Sequence, residues 1–100
     1  MLRFMALVLL LAGSASARKL SYKPAVGYVP DEETAIAIAI AVWSPIYGRK
    51  KIETDRPFHA TLKKGVWTVT GTLPKGVTSG APEAEISKDD GRILRVVRLR

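Results

Sequence analysis

The stretch that decides the fold is DEETAIAIAIAVW, residues 31–43. Ile36, Ile38 and Ile40 alternate with alanines, a period that formally matches a strand. The alternating partner is alanine, however, the best helix former and a poor strand former. Asp31 is placed to cap the first exposed N–H groups, and Asp31, Glu32 and Glu33 sit where a helix dipole is positive. The stretch therefore reads as a helix. From Ala35 to Val42 it is apolar all round, so it is expected to be largely buried. Its alanine face would let a sheet approach closely. Pro45 disfavours helical geometry at Ser44, so the helix should end or kink there, with Ile46-Tyr47 as a last turn before Gly48.

Working outward toward the C-terminus, RKKIETDRP (residues 49–57) reads as a basic loop with a short strand near Ile52. Phe58, Ala60 and Leu62 then alternate with His59, Thr61 and Lys63, and Lys64-Gly65 suits a tight turn. VWTVTGTL (66–73) is strong strand chemistry, with Trp67, Val69 and Leu73 on one face. Gly71 inside it suggests a bulge or the close approach of another element. PKGVTSGAP (74–82) is a loop. A three-residue loop, Asp89-Asp90-Gly91, would set Ile86 opposite Leu94, Glu85 opposite Arg95 and Ala84 opposite Val96, matching apolar with apolar and acid with base. That register makes Leu94 and Val96 core-facing. Ile93 and Val97 are left on the other face, where a second copy of the chain is one expected cover. One helix followed by an antiparallel meander is an α+β arrangement, because only the sheet can bury the helix.

Toward the N-terminus, residues 18–30 form an extended lead-in punctuated by Pro24, Gly27 and Pro30. Residues 1–17, MLRFMALVLLLAGSASA, read as a secretory signal peptide. Arg3 is the basic start, Phe4 to Ala12 the short apolar run, and Ala15-Ser16-Ala17 the small-x-small cleavage site. The apolar run is far short of the ~20 residues a spanning helix needs. The expected product is an exported chain of residues 18–100, periplasmic or secreted, with 31–100 as its single domain. The chain has 100 residues and no cysteine, which excludes a disulfide framework, a thiolate metal site, a cysteine nucleophile and a lipidated N-terminal cysteine. One histidine excludes a multi-histidine metal site.

Several short motifs fall in a fixed order: AIAIA in the helix, PIYG at Pro45–Gly48, RPF at Arg56–Phe58, GVWTVTGTLP at Gly65–Pro74 and AEISKDDGRIL at Ala84–Leu94. This series, covering residues ~29–97, resembles the small bacterial immunity proteins with a nuclear transport factor 2-like fold. The resemblance implies a cone-like α+β roll, a curved antiparallel sheet wrapped against a helix. It also implies a non-enzymatic protein that neutralises a toxin by binding it. No catalytic residue, cofactor or metal carries over.

The residues themselves agree with a binding role. His59 stands alone on a strand with no nucleophile or orienting partner in view, so an acid–base centre is not apparent. Asp31, Glu32 and Glu33 read as a solvated first turn rather than a metal cluster. Asp89-Asp90-Gly91 reads as a turn, because a calcium loop needs twelve residues and a closing glutamate. The net charge is +7, with bases gathered at Arg49-Lys50-Lys51, Arg56, Lys63-Lys64 and along Arg92, Arg95, Arg98 and Arg100. No groove-reading helix or aromatic platform accompanies them, so nucleic acid is not expected; the charge reads as solvation or as a surface for an acidic partner, which the resemblance makes an acidic-surfaced toxin protein. Arg56, Trp67, Arg95 and Arg98 are the expected contact residues. The alternative is a periplasmic small-ligand module lined by Trp43, Tyr47 and Trp67 on the concave side of the sheet.

Overall fold

The computed structural model describes residues 20–98. The signal-peptide reading of residues 1–17 lies outside the described residues. Helix α1 runs Glu32–Tyr47 and a short α2 runs Arg49–Glu53. Four strands follow: β1 His59–Lys63, β2 Val66–Thr70, β3 Pro82–Ser87 and β4 Ile93–Arg98. They form one sheet in the order β1-β2-β3-β4, antiparallel throughout. The fold is α+β, a helix on an antiparallel meander.

The ends of α1 follow from local chemistry. Asp31 is extended, and its carboxylate accepts a 2.8 Å hydrogen bond from the Thr34 N–H. Glu32 and Glu33 fill the first turn. Pro45 lies inside the helix, which continues through Tyr47 and stops at Gly48 with φ 91°. The Gly48 N–H donates to the Ser44 carbonyl at 2.9 Å, closing the end.

Ala35, Ala39 and Trp43, four residues apart, are fully buried against the sheet. They meet Ala60, Trp67, Val69, Ala84 and Ile86 in one core, with Ile36, Ile38, Ile40, Tyr47 and Val96 packed at its margin. The alanines keep the helix close to the strands. Burial is one-sided, though: Ala37 and Ala41 face away and are exposed. A single helix layer over a single sheet gives the apolar helix only one face to bury.

Two other expectations are corrected. Residues 49–53 are helical rather than a loop with a strand near Ile52. Gly48 turns the chain, the Ile52 N–H donates to the Gly48 carbonyl at 3.1 Å, and Ile52 is buried to 1%. The second correction concerns the β3–β4 loop. The Ser87 N–H donates to the Arg92 carbonyl, so the loop is four residues, Lys88–Gly91, not three. Ile86 is then opposite Ile93, and a bulge absorbs the extra residue before Glu85 meets Arg95 and Ala84 meets Val96. The outer part of the register is as read from the sequence. Leu94, expected in the core, is displaced by that bulge and stays 42% exposed.

The β1–β2 turn uses Lys64 and Gly65, both at positive φ, as a two-residue hairpin does. Gly71 is a point of close approach: a Cβ there would lie 3.0 Å from the Asp55 carbonyl oxygen and 3.0 Å from Pro82. The lead-in is docked at its end. The Tyr28 and Val29 N–H groups donate to the Asp89 and Lys88 carbonyls, and the Trp67 indole donates to the Val29 carbonyl at 2.8 Å. Val29 is fully buried, while Tyr22 and Val26 remain exposed. Among the described residues no helix is long and apolar enough to cross a membrane.

Candidate protein-binding surface

The four expected contact residues do not converge on one patch. Trp67 is 7% exposed and is spent on the core and on Val29. Arg98 shares the core-facing side of β4 with Val96, opposite Pro82. Its Nη2 donates to both carboxylate oxygens of Asp55, at 3.1 and 3.0 Å. Asp55 is buried to 4%, and the Arg98 guanidinium lies 5.1 Å from the Tyr47 ring centroid. This pair joins the end of the meander to the loop after α2. Arg56 and Arg95 remain at the surface. Arg56 pairs with Glu53 and covers the Phe58 ring at 5.2 Å. That hydrogen bond holds the Glu53 carboxyl below its ordinary range and the Arg56 guanidinium above its own. Arg95 reaches back to Glu83 at 3.1 Å and Glu85 at 3.8 Å on the neighbouring strand.

The aromatic residues expected to line a pocket belong largely to the core. Trp43 is fully buried with its ring 5.5 Å from Phe58, Trp67 is buried, and Tyr47 is half-buried under Arg98. A shallow cleft of about 230 Å³ lies elsewhere, between the lead-in and the hairpin tips, lined by Ala25, Val26, Gly65, Lys88 and Asp89. His59 is exposed on β1. Among the described residues no group of three histidine, aspartate or glutamate side chains is arranged to hold a metal.

The surface that sequence reasoning underweighted is α2. Five helical residues place Arg49, Lys50 and Lys51 on the exterior, all exposed and none within an ion pair among the described residues. Beside them Ile46 is 57% exposed. This basic cluster follows the C-terminus of α1, whose first turn carries the acids Glu32 and Glu33. Sixteen residues of helix separate the two by about 24 Å. Along α1 itself, acids at the start and bases past the end are joined by a helix with no charged side chain from Thr34 to Tyr47. Arg49, Lys50, Lys51 and Ile46 thus stand exposed together at the C-terminal end of α1.

Comparison with known proteins decides the family. The description "NTF2 fold immunity protein" matches residues 34–100, from the first turn of α1 to the C-terminus. The chain belongs to this NTF2 fold immunity family. No curated relative and no solved structure matches it. In this immunity-family chain the matched region spans α1 from Thr34 onward, α2 and all four strands. The family carries an immunity-type binding role, with a toxin protein as the kind of partner.

Proposed function

We propose that this chain is an exported immunity protein that neutralises a toxin by direct binding, docking on an acidic surface of the toxin through its α2 end. The observation that carries the surface is the set of unpaired bases Arg49, Lys50 and Lys51 around exposed Ile46. Arg56 lies at the same end of the molecule, exposed, paired with Glu53 and with its guanidinium over the Phe58 ring. Export is supported by Arg3, the apolar run Phe4 to Ala12 and Ala15-Ser16-Ala17, so the toxin would act in the periplasm or at the envelope. The role is non-enzymatic: occlusion of the toxin needs affinity and no chemistry.

The test is co-expression with candidate secreted toxins from the gene neighbourhood, scored by cell survival and by the affinity of the purified pair. The wild-type chain should protect. Lys50→Glu/Lys51→Glu should weaken binding at least tenfold and abolish protection while keeping the fold. Arg95→Glu, whose partner residues lie on its own sheet, serves as the comparison. Unchanged affinity in the α2 variant would remove this surface from the proposal. Absence of both binding and protection by the wild-type chain would remove the function.

A further inference from the structure

The two edges of the sheet are unlike. β1 ends in exposed Lys63 and Lys64, the charged side chains with which natural edges resist pairing. β4 carries Ile93, Leu94, Val96 and Val97, with no lysine and no proline. Its two arginines are turned away from the edge, Arg95 onto Glu83 and Glu85, Arg98 onto Asp55. β4 is hydrogen-bonded to β3 alone, and among the described residues no side chain or loop covers its outer backbone groups.

The hydrogen-bond phase of β4 follows from its neighbours. The Gly71 N–H donates to the Pro82 carbonyl, so Pro82 directs its backbone groups to the β2 side. Backbone groups alternate along a strand, so Glu83 and Glu85 face β4, and their partners Val97 and Arg95 face β3. Val96, opposite Ala84, therefore directs its N–H and C=O outward.

We infer that β4 pairs with β4 of a second copy of this chain, antiparallel, with Val96 on the two-fold axis, giving a continuous eight-stranded sheet. In this register each Val96 N–H donates to the partner's Val96 carbonyl. On the open face of the sheet Val97 lies beside the partner's Arg95, whose aliphatic stem is free while its guanidinium is held by Glu83 and Glu85. An axis on Arg95 would instead set one guanidinium against the other. The charge pattern selects a second copy over an acidic strand from another protein. The β4 cations already have carboxylates from their own chain, so an acidic strand finds none free at Arg95 or Arg98. Two copies of a chain with net charge +7 meet here at an edge whose arginines are locally neutralised. The inference is independent of the toxin reading.

Light scattering across a concentration series tests it. The wild-type chain should reach the mass of a dimer. Val97→Lys places a cation beside its own Glu83, a favourable cross-strand pair, and beside the partner's Arg95, an unfavourable one, so this variant should stay folded and monomeric. The chain has no cysteine, so Val96→Cys gives a single thiol. Directly opposed residues of a hydrogen-bonded antiparallel pair have Cα atoms about 5.5 Å apart, within disulfide range. Mild oxidation should therefore cross-link Val96→Cys to itself quickly, and Val97→Cys, two residues off its own partner, slowly. A wild-type monomer at millimolar concentration, a dimer unaffected by Val97→Lys, or equal cross-linking of the two cysteine variants would each overturn the inference. A monomer that adds an extended segment of the toxin at β4 would overturn it too.

Discussion

At the residue scale the Asp55–Arg98 pair does most to fix the arrangement. Asp55 has few other ways to satisfy its charge: it is buried beneath Gly71 and Pro82, so closely that a methyl group on Gly71 would force its neighbours to shift. Truncating one member of a buried pair strands the other charge, a loss of about 3–5 kcal/mol. Asp55→Ala should therefore lose roughly 3 kcal/mol or more in urea unfolding. Asp55→Ala/Arg98→Met should recover part of that loss, because no orphan charge remains; a double variant as unstable as the sum of the singles would refute the pairing account. Asp31 acts at the opposite end of α1. Its hydrogen bond from Thr34 holds its carboxyl below the ordinary range. A depressed carboxyl contributes stability above its unfolded pKa of about 3.9, and that contribution fades as pH falls through the lower folded value. Asn caps a helix comparably but does not titrate in this range. Asp31→Asn should match the wild type at neutral pH and show a shallower fall below about pH 4 in denaturant midpoints. Superimposable acid limbs would show that the cap does not contribute to the pH dependence.

At the element scale, the parts legible in the sequence are those with a repeating or paired signal. The alanines of α1 outweighed its isoleucine alternation because a helix needs a small face to lie on a sheet, and Ala35 and Ala39 provide it. The β1–β2 hairpin was legible from Lys64-Gly65, and the β3–β4 register from the match of Glu85 to Arg95. Helix α2 was not legible, since five residues are too few for a period. The four-residue loop with its bulge reaches the same Glu85–Arg95 pair as the shorter loop, so side-chain matching cannot separate them. Arg98 carried a signal that went unused: strand alternation puts it on the core side with Val96, and an arginine there requires a buried acid. The lead-in is held by the Trp67 indole, two backbone bonds to the β3–β4 loop, the Lys88 ammonium on the Val26 carbonyl, the Lys23–Asp89 ion pair and the burial of Val29. Trp67→Phe keeps the ring in the core but leaves the Val29 carbonyl without its donor, at a cost of about 1–3 kcal/mol. Amide exchange should accelerate at Tyr28 and Val29 while the β2 and β3 amides stay protected. Uniform acceleration across the sheet would mean that the indole supports the core rather than the lead-in.

At the scale of the whole molecule, the polarity along α1 sets how a partner arrives. Along α1, acids at the start and bases past the end lie about 24 Å apart, a local charge separation whose reach depends on salt. The Debye length shrinks from about 30 Å at 0.01 M to about 10 Å at 0.1 M. At the lower ionic strength the cluster Arg49, Lys50 and Lys51 would draw the proposed acidic partner from a distance. At the higher strength that pull is screened. Steering of this kind changes association rates by about 10–10³-fold and leaves dissociation to the close contacts. Stopped-flow association with the toxin should therefore slow by about tenfold or more across that salt range, with little change in the dissociation rate. Lys50→Glu/Lys51→Glu should flatten the dependence, because the variant removes most of the basic cluster. Glu32→Lys/Glu33→Lys, which adds bases at the start of α1, should associate faster at low salt. A salt-independent association rate in the wild type would place the contact on the neutral part of the surface, away from α2.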